Sequence, residues 1–175
     1  AELTRASRSR DAVALLMLDI DDFKRVNDVH GHGSGDQVLT ELAELLRATV
    51  RGSDVVCRLG GEEFGVIMPS GDAGDALTLA RRLTDALAEV EFGPAGTITI
   101  SVGISQGPEH AMNPRELVAC AEAAMMTAKA RGKNQVVLFE EHTSERPDGE
   151  PGTGRDVRSI AHLKMLQSLA GKLNR

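Results

Sequence analysis

The chain has 175 residues, 41% of them hydrophobic, and a formal net charge of −6, which fits one globular domain with some additional chain. Surfaces that hold a nucleic-acid backbone usually carry a basic face, so the acidic balance argues against DNA or RNA as partners. No apolar run approaches the roughly 20 residues of a membrane span, and no signal-peptide pattern opens the chain. We therefore expect a cytoplasmic domain that makes no membrane contact.

Hydrophobic patterning divides the chain into strands and helices in the order β-α-α-β-β-α-β-α-β. The strands are expected at Ala12–Leu18, Val55–Leu59, Glu63–Met68, Thr97–Ser105 and Gln135–Phe139. The helices are expected at Phe23–Val29, from Asp36 to Val50, at Ala73–Val90 and at Glu116–Arg131. This order is typical of a ferredoxin-like α+β fold, an antiparallel sheet with helices packed on it and an internal hairpin.

Glycines mark two turns in this prediction. Residues 31–35 are expected to end the first helix, with Ser34 as the cap of the second helix. Gly60 and Gly61 separate the second and third strands, and paired glycines tolerate the positive φ that tight hairpin turns need. The two cysteines, Cys57 and Cys120, are far apart and lack metal-ligand spacing, so we expect reduced, buried thiols.

The composition changes after Phe139. Residues 1–140 are expected to form the domain, and residues 141–155, which are polar and contain Pro and Gly, a flexible linker. Residues 156–175 are expected to form a helix that connects to a further domain. The apolar residues on roughly one face of that helix, which need a partner, are Ile160, Leu163, Leu166, Leu169 and Leu173.

Two groups of carboxylates occur where a predicted strand meets a turn. Asp19 ends the first strand, and Glu62 and Glu63 follow the glycine pair. In a ferredoxin-like sheet the first strand lies beside the hairpin, so Asp19 and Glu62 are expected at one end of the sheet. Converging carboxylates repel unless a hard cation fills the gap, and oxygen-only ligation favours Mg²⁺ over zinc. For either group alone, solvated turn residues are the more ordinary interpretation.

Polar side chains follow the first carboxylate group. The N–H groups at the start of the helix that begins at Phe23 can hold phosphate oxygens, and Lys24 adds a positive charge there. Asn27 and Asp36 offer an amide and a carboxylate, and a carboxylate accepts hydrogen bonds from the N1–H and exocyclic amine of guanine. The pattern suits a guanine nucleotide; the alternative is a solvated amide and an acid at a helix start.

Three motifs in the chain are more specific than its composition. Residues 60–64 (GGEEF) match the GG(D/E)EF signature of bacterial diguanylate cyclases, and residues 18–39 (LDIDDFKRVNDVHGHGSGDQVL) resemble the second hallmark of that family. Residues 128–134 (AKARGKN) resemble a late A-K-x-x-G-[RK]-N motif. The resemblance spans about Ala12 to Phe139. It implies the GGDEF fold and an enzyme that condenses two GTP into cyclic di-GMP and two pyrophosphates with Mg²⁺, which Mn²⁺ can replace.

The resemblance also implies a role for individual residues. The expected metal ligands are Asp19, the backbone carbonyl of Ile20, and Glu62. The expected substrate-binding residues are Phe23, Lys24, Asn27, His32, Asp36, Lys129 and Lys133. The expected catalytic residues are Glu62, Glu63 and Lys24, and which glutamate deprotonates the attacking 3′-hydroxyl stays open.

The implied reaction requires two copies of the domain. The 3′-hydroxyl of one GTP attacks the α-phosphorus of another, while the metal and lysines stabilise the charge on the phosphoryl oxygens. Each domain holds one GTP, so a homodimer is expected for turnover. Adjoining sensory or regulatory domains are expected as further partners.

A second site is implied just before the hairpin. Arg51 and Asp54 match the R-x-x-D inhibitory site of many such cyclases, and Arg82 is placed like its distal arginine. Arginines bind phosphate by bidentate hydrogen bonds and stack on purines, so cyclic di-GMP is expected there as an inhibitor. The alternative is an ordinary helix end with a surface ion pair, which contributes little.

The chain departs from the family pattern at three places. The helix and D-x-L-T stretch that usually precede the core are absent from the sequence, so we expect poor activity of this polypeptide alone. His30 replaces a common aromatic residue and Met125-Met126 a common Leu-Tyr pair, which we interpret as packing substitutions.

Two alternative functions fit the sequence less well than the cyclase. A catalytically silent GGDEF domain that senses cyclic di-GMP or GTP is disfavoured because the signature is intact. An RNA-binding module would need exposed aromatic residues on a basic sheet face, and the strands offer only Phe64 and Phe139.

Overall fold

A computed structural model describes residues 12–111 and 113–140 of the protein. Its strands are β1 (Val13–Ile20), β2 (Val55–Arg58), β3 (Glu63–Pro69), β4 (Ile100–Gly107) and β5 (Gln135–Leu138). Its helices are α1 (Phe23–His30), α2 (His32–Thr49), α3 (Ala73–Ala88) and α4 (Pro114–Ala130), with a 3₁₀ turn at Gly93–Ala95. The predicted order of elements is confirmed. The predicted linker at 141–155 and helix at 156–175 lie outside the described residues.

The strands form one sheet in the order β2-β3-β1-β4-β5. The central strand β1 pairs antiparallel with β3 on one side and with β4 on the other. At the far edge β5 runs parallel to β4, because α4 carries the chain back along the sheet between these two strands. The α+β class is confirmed, and the sheet is mixed at this edge instead of antiparallel throughout.

Both faces of β1 are covered by helices. Leu16 and Leu18 belong to the apolar cluster formed with α1, α2 and α3, whereas Leu15 and Met17 belong to the cluster under α4. All but the first residue of the strand are buried. A strand buried on both faces needs apolar side chains at successive positions, which explains its continuous apolar run.

Helix α4 packs closely on the sheet at Gly103 of β4. A Cβ atom at this position would overlap the carbonyl oxygen of Ala121 and the amide nitrogen of Met125, which are backbone atoms of α4. Glycine therefore lets α4 pack directly onto β4. The same packing directs the last turn of α4, with Lys129, towards the end of β1.

The glycine-rich segment after α1 differs from its prediction. The helix α2 begins at His32 and not at Asp36, so Ser34 lies in its first turn and is not its cap. Only Gly31, whose φ is 85°, separates the two helices. A helical glycine costs about 1 kcal/mol of helix stability, which tertiary contacts can offset. At Gly35 such a contact exists, because this buried residue packs against α1.

The hairpin turn also differs from its prediction. The described glycines with positive φ are Gly31, Gly93, Gly96 and Gly132, so Gly60 and Gly61 are not in that conformation. The last β2–β3 pair joins Arg58 and Phe64, and residues 59–62 connect the two strands. A connection of this length does not require the left-handed residues of a two-residue turn.

The cysteine thiols are half-buried, which is less than predicted. The thiol of Cys57 contacts the carbonyl of Gly65 at 3.6 Å, and that of Cys120 contacts the carbonyl of His110 at 3.6 Å. Burial raises the pKa of the Cys57 thiol. In residues 12–111 and 113–140, no helix has the length and apolarity of a bilayer-spanning segment.

Candidate active site

Strand pairing brings the two carboxylate groups to one end of the sheet. Asp19 on β1 lies opposite Glu63 on β3, and the backbone amide of Ile20 donates to the carbonyl of Glu62 at 3.2 Å. Asp19 is only 3% exposed, whereas Glu62 and Glu63 are half-buried. The three acidic residues predicted for catalysis and metal binding therefore lie together.

The carboxyl group of Asp19 is close enough to Glu62 to affect the ionisation of Glu62. Burial raises the pKa of Glu62, and the negative charge of Asp19 raises it further, while Lys129 lowers it. The Lys129 Nζ atom lies 2.9 Å from Oδ2 of Asp19. Two carboxylates that disfavour each other's charge form a site at which an added cation is stabilising.

The donor set of this end of the sheet suits Mg²⁺. Asp19 and Glu62 offer carboxylate oxygens here, although no group of three or more His, Cys, Asp or Glu side chains among the described residues is arranged to hold a metal ion without other ligands. Mg²⁺ is typically bound through one or two carboxylates together with substrate phosphates and water. The neighbouring carboxylates of Asp19 and Glu62 fit that requirement.

Arg58 holds the turn that carries the two glutamates, a role that sequence reasoning did not find. Its Nε donates to the carbonyl of Gly60 at 3.1 Å, and its Nη2 donates to the carbonyl of Gly61 at 2.9 Å. A Cβ atom at Gly61 would meet nothing within 4 Å, so the space beside Glu62 stays open. The sequence signal is an arginine two residues before a glycine pair, close enough to reach back to the turn.

The start of α1 leaves its first-turn amides without a side-chain cap. Asp22 occupies the N-cap position with φ 55° and ψ 31°, and its side chain makes no capping hydrogen bond. Phe23 is 8% exposed and its ring belongs to the core, so its backbone amide is the group that can meet a substrate. Lys24 is exposed beside it.

The residues predicted to contact the base lie where α1 meets α2. A Cβ atom at Gly35 would overlap Oδ1 of Asn27, so the glycine makes room for the Asn27 side chain between the helices. Asp36 follows directly and is exposed, and His32 is exposed at the start of α2. A cavity of about 440 Å³ between α2 and the β2–β3 hairpin is lined by Asp36 and Arg58, but not by Asn27.

A buried aspartate that was not predicted as a site residue connects three elements. Asp21 is 7% exposed and accepts hydrogen bonds from the Thr99 hydroxyl at 2.7 Å and the Ser101 hydroxyl at 2.6 Å. It also accepts one from the backbone amide of Asn134 at 2.9 Å. The end of β1 is thereby joined to β4 and to the loop after α4. The signal in the sequence is the second aspartate of the D-I-D segment.

The loop after α4 has an uncommon backbone and presents a lysine. Gly132, Lys133 and Asn134 have φ values of 115°, 64° and 48°, and such residues persist only where the surroundings hold them. The Lys133 Nζ atom lies 2.6 Å from Oδ1 of Asp22. This hydrogen bond and the opposite charges lower the pKa of Asp22 and raise the pKa of Lys133.

Of the predicted inhibitory residues, Arg51 and Asp54 lie just before β2, and Arg82 lies on α3. Asp54 accepts a hydrogen bond from the backbone amide of Arg51 at 2.9 Å, so its carboxylate holds the turn. The Arg51 side chain is exposed, and Arg82 is exposed on α3. Among the described residues, no recorded ion pair joins either arginine to Asp54.

The mixed sheet, the helices packed on its two faces and the carboxylate end are the features to compare with known domain families. The sequence profile described as "Diguanylate cyclase, GGDEF domain" matches residues 1–135, and the chain belongs to this family.

The response regulator PleD of Caulobacter vibrioides is 41% identical over 138 residues, which cover 76% of this chain and 30% of that protein. The chain thus spans about 30% of the length of this curated relative.

Two solved structures share the fold. The active GGEEF domain of a diguanylate cyclase from Vibrio cholerae matches with a TM-score of 0.71 and 28% identity, covering 79% of this chain and 90% of that one. The GGDEF domain of DgcB from Caulobacter crescentus in complex with c-di-GMP matches with a TM-score of 0.67 and 29% identity, covering 78% and 85%.

Proposed function

We propose that the chain is a diguanylate cyclase that condenses two GTP into cyclic di-GMP and two pyrophosphates in the presence of Mg²⁺ or Mn²⁺. The observation that carries the proposal is the position of Asp19, Glu62 and Lys129 at one end of the sheet, beside the uncapped start of α1. Membership of the GGDEF family supports it.

Separate groups of residues have separate roles in phosphoryl transfer. Asp19, Glu62 and the carbonyl of Ile20 would hold Mg²⁺, which when bound supplies Lewis-acid stabilisation of the phosphoryl charge. The amides at the start of α1 and the three lysines of the site neutralise the triphosphate. These lysines are Lys24, Lys129 and Lys133. The proton of the attacking 3′-hydroxyl passes to the Glu62–Glu63 pair as the new P–O bond forms and pyrophosphate leaves.

Turnover requires two chains in this proposal. One carboxylate end holds one GTP, so the 3′-hydroxyl that attacks must be presented by a second copy facing the first. The turn itself is open at Gly61, where an added Cβ atom would meet nothing within 4 Å. Adjoining sensory or regulatory domains would then control activity by setting how the two copies meet.

Incubation of the protein with GTP and Mg²⁺ tests the function directly. We expect cyclic di-GMP and pyrophosphate in a ratio of one to two, loss of both products on addition of a chelator, and no reaction with ATP. GTP or cyclic di-GMP binding without product would instead support the alternative function, a catalytically silent sensor domain.

Asp36→Asn should weaken binding of GTP. The amide would place a donor against the N1–H and exocyclic amine of guanine, and an unpaired donor costs about 1–3 kcal/mol, or about 5- to 150-fold in affinity. Titration calorimetry with GTP and ATP measures both the affinity and the preference. Glu44→Gln, which changes another carboxylate on the same cavity wall, is the matched control. If Asp36→Asn leaves the affinity for GTP and the preference for GTP over ATP unchanged, Asp36 does not bind the guanine base.

We further propose that cyclic di-GMP binds at Arg51, Asp54 and Arg82 and inhibits the enzyme. Asp54 holds the turn by its hydrogen bond to the Arg51 amide, and the Arg51 guanidinium is exposed to a ligand. Asp54 directly precedes β2, which leads to the catalytic turn, so a ligand there could restrain the hairpin or cross-link two domains.

Arg51→Ala should weaken cyclic di-GMP binding by about tenfold or more, because charge-assisted hydrogen bonds to phosphate contribute about 1.5–3 kcal/mol each. GTP binding should stay nearly unchanged. Calorimetric titration of cyclic di-GMP without turnover measures the effect, with Arg81→Ala on α3 as the control for loss of an exposed arginine. Equal affinities in Arg51→Ala and the unmodified protein would identify Arg51 as an ordinary residue of a helix end.

A further inference from the structure

The carboxylate of Asp22 does not cap the helix that it precedes. An aspartate at an N-cap position usually accepts a hydrogen bond from an amide of the first helical turn. Here the Asp22 side chain makes no such bond and instead pairs with Lys133, at 2.6 Å from Oδ1 to Nζ. The two side chains are 60% and 44% exposed, so ligands in solution can reach both.

Lys133 does not depend on this ion pair for its position. Its own amide donates to the carbonyl of Ala128 at 3.0 Å, and its carbonyl accepts from the side-chain amide of Gln135 at 3.0 Å. The next residue, Asn134, is held by the buried carboxylate of Asp21 at 2.9 Å. The backbone therefore presents the lysine beside the start of α1 whether or not Asp22 carries a charge.

We propose that Asp22 competes with the phosphate groups of GTP for Lys133 and thereby lowers the affinity of the site for its substrate. This inference rests on the proposed function, in which Lys133 neutralises triphosphate charge. If the ion pair opens on binding, its energy is lost; if it persists, a carboxylate remains beside the incoming phosphates. Both cases oppose GTP binding, so the sign of the effect is the same.

Asp22→Asn tests the effect of the side-chain charge without changing the backbone. Asparagine keeps the shape of the side chain and tolerates the left-handed conformation that Asp22 adopts, so the start of α1 should be unchanged. We expect the affinity for a GTP analogue with a non-cleavable α,β linkage, measured with Mg²⁺ by calorimetry, to rise about threefold, as suits an exposed ion pair. The KM for GTP should fall in proportion, with kcat nearly constant.

Two further variants show whether the effect passes through Lys133. Asp85→Asn, an exposed aspartate on α3, makes the same change in net charge and should leave the affinity unaltered. In a Lys133→Met background the ion pair is already absent, so Asp22→Asn should no longer raise the affinity. This double-mutant cycle isolates the interaction between the two side chains.

The outcomes separate the inference from the proposed function. Lower or equal affinity in Asp22→Asn would overturn the inference, since a positioning role predicts a loss of binding. A gain that persists without Lys133, or that Asp85→Asn reproduces, would overturn it as well. If the unmodified chain neither binds the analogue nor makes cyclic di-GMP, the proposed function fails and the inference fails with it.

Discussion

Glu62→Gln is expected to abolish the formation of cyclic di-GMP while the protein stays folded. The substitution keeps the shape of the side chain but removes one of the two carboxylates that would hold Mg²⁺. Loss of a residue that only supports a metal ligand typically costs 10–100-fold in metal affinity or activity, so loss of a ligand should exceed about a hundredfold. Chromatographic detection of the product and the Mg²⁺ dependence of the rate measure this effect.

The fold of this variant should be at least as stable as that of the unmodified protein. Burial and the neighbouring charge of Asp19 both raise the pKa of Glu62, which means that its ionised form is disfavoured in the folded protein. A neutral amide removes that repulsion, so the thermal midpoint without metal should not fall. Glu109→Gln, in the loop after β4, is the control for loss of an exposed carboxylate. Cyclase activity retained in Glu62→Gln would refute the metal assignment.

Gly103→Ala is expected to cause a large loss of stability. The new Cβ atom would overlap backbone atoms of Ala121 and Met125, which cannot move unless α4 shifts away from β4. Overpacking usually costs about 1–3 kcal/mol, and we expect about 3 kcal/mol or more here because backbone and not side-chain atoms must move. Such a loss is a large share of the roughly 5–15 kcal/mol that stabilises a typical domain.

Urea unfolding followed by circular dichroism measures this change. Gly52→Ala is the matched control, since a Cβ atom there meets nothing within 4 Å and the stability should stay within about 1 kcal/mol of the unmodified protein. An unfolding midpoint of Gly103→Ala equal to that of the control would show that α4 does not rest on β4 as described. A shift of α4 that leaves the protein folded should still reduce activity, because Lys129 would move from Asp19.

The order of elements could be predicted because it depends on local patterns. The apolar run of β1 and the helical spacing of α2 and α3 are properties of neighbouring residues, and the motifs that place acids at strand ends are equally local. The start of α2 was predicted wrongly because Gly33 and Gly35 weaken a helix in isolation. In the folded protein Gly35 is favoured by its contact with Asn27, which lies on another helix.

The sequence by itself determined which charged residues this protein has for nucleotide chemistry, because the GGEEF and D-I-D segments carry them at set spacings along a single strand or turn. Only the tertiary structure decided which partner each charge takes. Lys129 pairs with Asp19 and Lys133 with Asp22, and Asp21 binds Ser101, 80 residues away. Such pairs form between segments that meet only when the sheet assembles, and the sequence offers several acids and lysines as partners for each charge. Which pairs form therefore depends on distances in the folded protein, and these cannot be read from the spacing of residues along the sequence.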